Sequence, residues 1–166
     1  MKIDLLQPFI GSLDAVLAEL LKAPVTIGDV TMEEEAYRRK GIAAVVIFKG
    51  QIDGRVVLDV DPGVAAKIAG LLAGGEMNAS DPIVPESVCE LANMVIGSAV
   101  TQLNDQGSQF KVLPPSLLSE AQCDKVGRDE EATILSFRTP AGAVYLNVAM
   151  HYHTRRFGEH SPVPIG

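Results

Sequence analysis

The chain has 166 residues, a formal net charge of −7, 47% hydrophobic and 5% aromatic residues, and no Trp. That length suits one domain, or two small halves sharing a core, and the apolar fraction excludes wholesale disorder. The acidic balance argues against a nucleic-acid binder and against docking on an anionic membrane, both of which need a basic face.

The longest purely apolar run, Ile42 to Phe48, falls far short of the roughly 20 residues of a bilayer-spanning helix. Asp4, Gln7 and Asp14 break what a secretion signal would need as an apolar run. Cys89 and Cys123 stand apart with no CxxC spacing, the pattern of reduced thiols in a cytoplasmic protein.

In chain order, Asp4 to Lys22 predicts an amphipathic helix, with Leu5, Leu6, Phe9, Leu13, Val16, Leu17 and Leu20 at helical spacing, Pro8 in the first turn and Pro24 as the stop. Val25 to Val30 is a strand. Glu33 to Lys40 is a charged stretch read as a solvated loop or edge. Ile42 to Lys49 and Arg55 to Val60 form a hairpin around Gly50 to Gly54, whose Asp-Gly dipeptide is a turn signal. Asp61 caps a short helix that opens with Pro62 and ends at Gly74 and Gly75. Gly74 to Asp81 is a linker by composition. Pro85 to Asn104 is the longest predicted helix, and Phe110 to Leu113 a strand closed by Pro114 and Pro115. Ser116 to Glu130 carries no clear signal. Glu131 to Arg138 and Gly142 to His151 form a second hairpin around Thr139 to Gly142.

The two halves resemble each other. Ile10-Gly11-Ser12 matches Ile96-Gly97-Ser98 at an offset of 86, and Val56-Val57-Leu58-Asp59-Val60 matches Val144-Tyr145-Leu146-Asn147-Val148 at an offset of 88. Each half reads helix, strand, loop, hairpin. Neither can cover its own sheet face, so a duplicated unit with a shared core and pseudo-twofold symmetry is expected. The expected fold is α+β, with about six strands in one sheet, two long helices packed on it and one short helix. The expected domain is residues 1–153, with pseudo-repeats 1–75 and 82–153 and a flexible tail over 154–166.

On a helical wheel at about 100° per residue, Val88, Leu91, Ala92, Val95, Ile96, Ala99 and Leu103 share the core side of the second long helix. Glu86, Glu90, Asn93, Gly97, Thr101 and Asn104 fall within a wedge of about 80° on the other side. The outward stripe thus carries two carboxylates, a carboxamide and then a glycine, where another protein's backbone can come close. By residue type alone, such a stripe is also what an ordinary solvated helix face looks like, and Gly97 what a helix–helix contact uses. Other constellations are weaker. Of His151, His153 and His160, the first two share one face if the strand continues but lack a third well-placed metal ligand, so no metal site is assigned. Ser87 and Ser98 have no His or Asp at readable spacing. Gly70 to Gly75 does not match a phosphate loop. Asp53, Asp59 and Asp61 fit turn and cap positions better than a Ca²⁺ site.

Glu90-Leu91-Ala92-Asn93-Met94-Val95-Ile96-Gly97 resembles the signature helix of the CheC/CheX/FliY family of bacterial chemotaxis phosphatases. That signature is an acidic or Ser residue, three residues, Glu, two residues, Asn, and a Pro some twenty residues on. Here these are Glu86, Glu90, Asn93 and Pro115 or Pro114; Glu in place of Asp or Ser at position 86 is a departure. Gln7-Pro8-Phe9-Ile10 also resembles the opening of CheX chains, and element order agrees over residues 1 to about 150. The motif on the second helix alone matches the CheX branch. The equivalent first-helix pair, Asp4 and Gln7, is followed by Pro8 and is read as vestigial.

The resemblance implies dephosphorylation of a phosphorylated CheY-type response regulator that supplies its own Mg²⁺ and lysine, so this chain binds no cofactor itself. Asn93 would orient the attacking water, since a carboxamide accepts from water and donates to phosphoryl oxygens without repelling them. Glu90 would pair with the regulator's lysine, with Glu86 at the rim and Gly97 at the contact. The resemblance also implies a homodimer formed by strand exchange, for which the long last strand, as an exposed edge, is the expected site. The alternative reading is a non-catalytic interaction module that docks a regulator without turnover.

Overall fold

A computed structural model describes residues 3–33, 37–119, 122–123 and 130–152. The 154–166 segment expected as a flexible tail lies outside the described residues, as do His153 and His160. Helix α1 spans Ile3–Leu21, followed by β1 (Thr26–Glu33), β2 (Tyr37–Arg38), β3 (Ile42–Lys49), β4 (Ile52–Val60) and α2 (Pro62–Ala73). Helix α3 (Ile83–Asp105) opens the second half, followed by β5 (Lys111–Val112), β6 (Ser116–Leu117), β7 (Gln122–Cys123), β8 (Glu130–Thr139) and β9 (Gly142–Tyr152).

The main sheet has seven strands in the order β1-β8-β9-β4-β3-β5, with β6 also paired to β3; β2 and β7 form a separate two-stranded ribbon. The ladders are antiparallel. The three helices cover one face. Phe9, Leu13 and Leu17 of α1 and Val88, Leu91, Val95 and Ile96 of α3 pack there with Ala44, Val46, Phe48, Val56, Leu58, Val60, Leu135, Phe137, Val144, Leu146 and Val148. Alternation along each strand sends the other residues to the opposite face. There Tyr37, Ala43, Val57 and Leu118 make a smaller second core.

Several expectations change. β9 is not an edge: it lies between β8 and β4, paired along its length with both. Its long apolar alternation reflects a strand buried by two neighbours rather than one awaiting a partner. The strand expected at Phe110 to Leu113 forms as β5, and the sheet gains the short piece β6 because Pro114 and Pro115 interrupt pairing to β3, leaving Leu113 N–H on the Ile47 carbonyl (2.8 Å) and Leu118 N–H on that of Ala43 (2.9 Å). In the charged stretch before β3, Arg38, Arg39 and Lys40 are exposed, while residues 34–36 lie outside the described residues. Tyr37 is fully buried, and Asp59 explains why: its carboxylate accepts the Tyr37 hydroxyl (2.7 Å) and the backbone N–H of Lys40 (2.5 Å) and Gly41 (2.8 Å).

The first hairpin turns at Gly50-Gln51, so Asp53 and Gly54 belong to β4, with Gly54 opposite Phe48. Any side chain at Gly54 would collide with the Phe48 ring. Asp61 is the N-cap residue of α2, and its carbonyl accepts Ala65 N–H (2.9 Å), but its side chain makes no capping bond; the carboxylate instead accepts Ala143 N–H at 2.9 Å and ties the helix start to β9. Pro62 begins α2 and Gly74 ends it at φ 83°, donating to the Gly70 carbonyl. Helix α1 begins at Ile3, which places Pro8 in its interior and removes the amide that would bond the Asp4 carbonyl.

Candidate functional site

Helix α3 positions the site. Val84, Ser87, Val88, Leu91, Ala92, Val95, Ile96, Ala99, Val100 and Leu103 are buried, and the helix packs against α1, α2 and β3. It is long and apolar enough to cross a bilayer by length and composition, yet half of the qualifying stretch is buried inside this domain. Asp81 starts it: its carboxylate accepts Ile83 N–H at 3.1 Å and its carbonyl accepts Val84 N–H at 3.0 Å.

The 3.6-residue period then turns Glu86, Glu90, Asn93, Met94, Ser98 and Thr101 outward, with Gly97 half-buried among them. Among the described residues, no hydrogen bond or ion pair engages the side chains of Glu86, Glu90 or Asn93. Two carboxylates and a carboxamide therefore present their full bonding capacity to solvent. The charge of this patch is felt locally: the half-buried Cys89 thiol has its pKa raised, first by burial and then by the Glu86 carboxylate.

Four other polar side chains of the helix are used internally. Ser87 donates to the Ile83 carbonyl (3.0 Å), which removes it as a nucleophile candidate. Thr101 donates to the Gly97 carbonyl (2.9 Å), and Gln102 to Ser12 of α1 (3.2 Å). Asn104, in the same wedge as Asn93 by sequence, instead clamps Phe110, accepting its N–H (2.8 Å) and donating to its carbonyl (3.1 Å). Pro114 and Pro115 sit in the β5–β6 connection, beside strands that α3 touches. On α1, Gln7 is exposed and the equivalent glycine, Gly11, has open space around it.

Among the described residues, no group of three or more His, Cys, Asp or Glu side chains could hold a metal ion. A cleft of about 790 Å³ runs along α2, lined in part by Lys67, Leu71, Glu76 and Met77, and no stripe residue contributes to it. The stripe is an open helix face, a shape suited to a macromolecular partner rather than a small ligand.

The model of the family described as chemotaxis phosphatase CheX matches residues 42–138. The chain belongs to the CheX family. The match includes Glu86, Glu90, Asn93, Gly97 and both prolines, and leaves out α1 and β9. No curated protein sequence matches. Solved structures agree in fold. A CheC-like superfamily protein from Shewanella sp. PV-4 superposes with a TM-score of 0.77 at 22% identity, covering 91% of this chain and 99% of that one. CheX from Vibrio vulnificus gives 0.77 at 21%, covering 89% and 99%. CheX from Borrelia burgdorferi, solved in complex with CheY, BeF3 and Mg²⁺, gives 0.70 at 24%, covering 90% and 99%.

Within this CheX-family chain, Met94 is the site feature that residue-type reasoning passes over. It is the one apolar side chain on α3 among the exposed large hydrophobics, at 36% exposure. It stands four residues from Glu90 and three from Gly97, and its wheel position, about 40° from Glu90, is the signal that could have found it.

Proposed function

We propose that this chain accelerates hydrolysis of the aspartyl phosphate on a CheY-type response regulator, ending a chemotaxis signal in the bacterial cytoplasm. The observation that carries this reading is the pairing of Glu90 with Asn93 on the outward stripe of α3, inside the segment that matches the family. The Borrelia relative, captured with CheY, BeF3 and Mg²⁺, supports the choice of partner.

An aspartyl phosphate is a mixed anhydride that hydrolyses slowly unaided. What a phosphatase adds is a water held in line with the leaving oxygen. The Asn93 carboxamide does this, its oxygen accepting from the water while its NH₂ donates to the phosphoryl group. The Glu90 carboxylate anchors the complex by pairing with the regulator's lysine. Glu86 adds charge at the rim and Gly97 lets the surfaces close. The regulator brings its own Mg²⁺, so this chain needs no bound cofactor.

The resemblance also implies a homodimer. Since β9 is interior, sheet extension is left to the outer strands, of which β1, paired with β8 alone among the described residues, is longer than β5 or β6.

The test is loss of phosphate from a phosphorylated CheY-type regulator of the same organism, with Asn93→Ala as control. Acceleration by wild type and not by the variant is expected. Binding without acceleration would replace catalysis with a docking module.

A further inference from the structure

Gly97 lies mid-way along α3, where alanine is favoured over glycine because glycine gives up more backbone freedom on entering a helix. The usual reasons for a helical glycine are missing. Its conformation is helical, so no left-handed φ requires it. A Cβ built there meets nothing within 4 Å, so no neighbouring element demands the space. Its carbonyl is occupied by the helix and by the Thr101 hydroxyl, so it offers a partner shape rather than a hydrogen bond. The chain's own packing thus gains nothing from the absent side chain.

We propose that Gly97 is a specificity-determining residue: its missing Cβ is a void that the phosphorylated regulator's surface fills, kept at the expense of helix stability. The inference rests on the reading that α3 docks such a regulator. Asn93 lies one helical turn before Gly97, and a carboxamide that reaches a phosphoryl group in a receiver's active site must bring its own helix against the rim of that site. Glu90 and Asn93 project beyond the helix, while Gly97 lies flush with it. The stripe is a protrusion followed by a recess, and a methyl group in the recess lifts the surfaces apart at the point where Asn93 has to reach deepest.

The equivalent glycine on α1, Gly11, would likewise carry a Cβ with nothing within 4 Å of it, and serves as the internal control. The experiment compares full-length wild type, Gly97→Ala, Gly11→Ala and Asn93→Ala. Three readouts are taken: thermal midpoint, affinity for the CheY-type regulator activated with BeF3 and Mg²⁺, and kcat/KM on the phosphorylated regulator.

Both glycine variants are expected to raise Tm by about 2–4 °C. Gly97→Ala alone is expected to weaken regulator affinity and kcat/KM roughly tenfold or more, the cost of one methyl at a closed surface. A fall in Tm for Gly97→Ala would show that the glycine serves this chain's own fold and would overturn the inference. So would wild-type affinity in that variant. If Asn93→Ala loses turnover while Gly97→Ala keeps wild-type affinity, the phosphatase reading stands and this inference alone falls. If wild type neither binds nor turns over the regulator, both fall together.

Discussion

Leu58 on β4 lies directly opposite Leu146 on β9, and the two are equivalent positions of the internal repeat. Their separation, 146 − 58 = 88, is the offset that also matches Val56 with Val144 and Val60 with Val148. In the ladder Val56 pairs with Val148 and Val60 with Val144, so exchanging the halves maps the pairing onto itself. A local twofold axis passes between the two leucines. The ribbon obeys it too: Tyr37 pairs with Cys123, and 123 − 37 = 86 is the offset of the helices.

Symmetry of environment predicts symmetry of cost. Both leucines are fully buried in the helix-covered core. Leu58→Ala and Leu146→Ala should each lower the unfolding free energy by about 3 kcal/mol. The two values should agree within about 1 kcal/mol, and the double variant should be non-additive because the residues face each other. Urea denaturation of the three variants checks this.

The same offset pairs Asp59 with Asn147, and here the halves diverge. Asp59 gathers three hydrogen bonds, whereas the buried Asn147 amide has no hydrogen-bond partner for its oxygen or nitrogen among the described residues. Asp59→Ala leaves the Tyr37 hydroxyl and two backbone amides without their acceptor, and should cost about 2–4 kcal/mol. Asn147→Leu removes an unsatisfied polar group and should be neutral or stabilising. Equal losses at both positions, read by the same denaturation assay, would contradict the assignment.

At the stripe, the two polar residues should separate kinetically. Asn93→Ala should lower kcat about a hundredfold while leaving the affinity for the activated regulator near wild type. Glu90→Gln should weaken affinity as well as rate, with a loss that shrinks as salt rises, because a charge pair is being removed. Stopped-flow phosphate release at low and high ionic strength distinguishes them.

Met94 should act through packing alone. Met94→Ala should raise KM severalfold, about 1 kcal/mol of lost apolar contact, with kcat unchanged. Met94→Leu should restore KM, since the swap conserves volume and polarity. A change in kcat instead would place Met94 in the chemistry.

Cys89 reports the field of the patch. Its thiol pKa is raised by burial and by the Glu86 carboxylate, so its thiolate is scarcer near neutral pH than that of an ordinary cysteine. Alkylation at pH 8 should therefore be slow. Glu86→Gln removes the repulsive charge, lowers the pKa and should speed the reaction, with burial still holding it below the rate of a free thiol. Mass spectrometry of iodoacetamide-treated protein follows this directly.

Much of the molecule is legible in the amino-acid sequence because its signals are local. The 3.6-residue stripes of α1 and α3, the Pro-to-Gly bounds of α2, both hairpins and the acid–amide–glycine spacing on α3 depend on residues within a few turns of one another. The repeat, too, is visible from five matched residues of β4 and β9. What stays hidden is anything set by partners distant in the chain. β9 looks like an edge until β4 and β8 are seen on either side of it. Tyr37 looks like one more residue of a solvated stretch until Asp59, on the far side of the hairpin, takes its hydroxyl and the backbone amides of Lys40 and Gly41. Asp61 holds the N-cap position, but Ala143 takes the carboxylate that would have made the capping bond. Asn93 and Asn104 are alike on a helical wheel, and only the chain's return at Phe110 makes one structural and leaves the other unengaged among the described residues. Periodicity fixes which way a side chain points from its own element, because that is backbone geometry. Which side chains remain available for chemistry is decided by what packs against them, and that belongs to the tertiary structure.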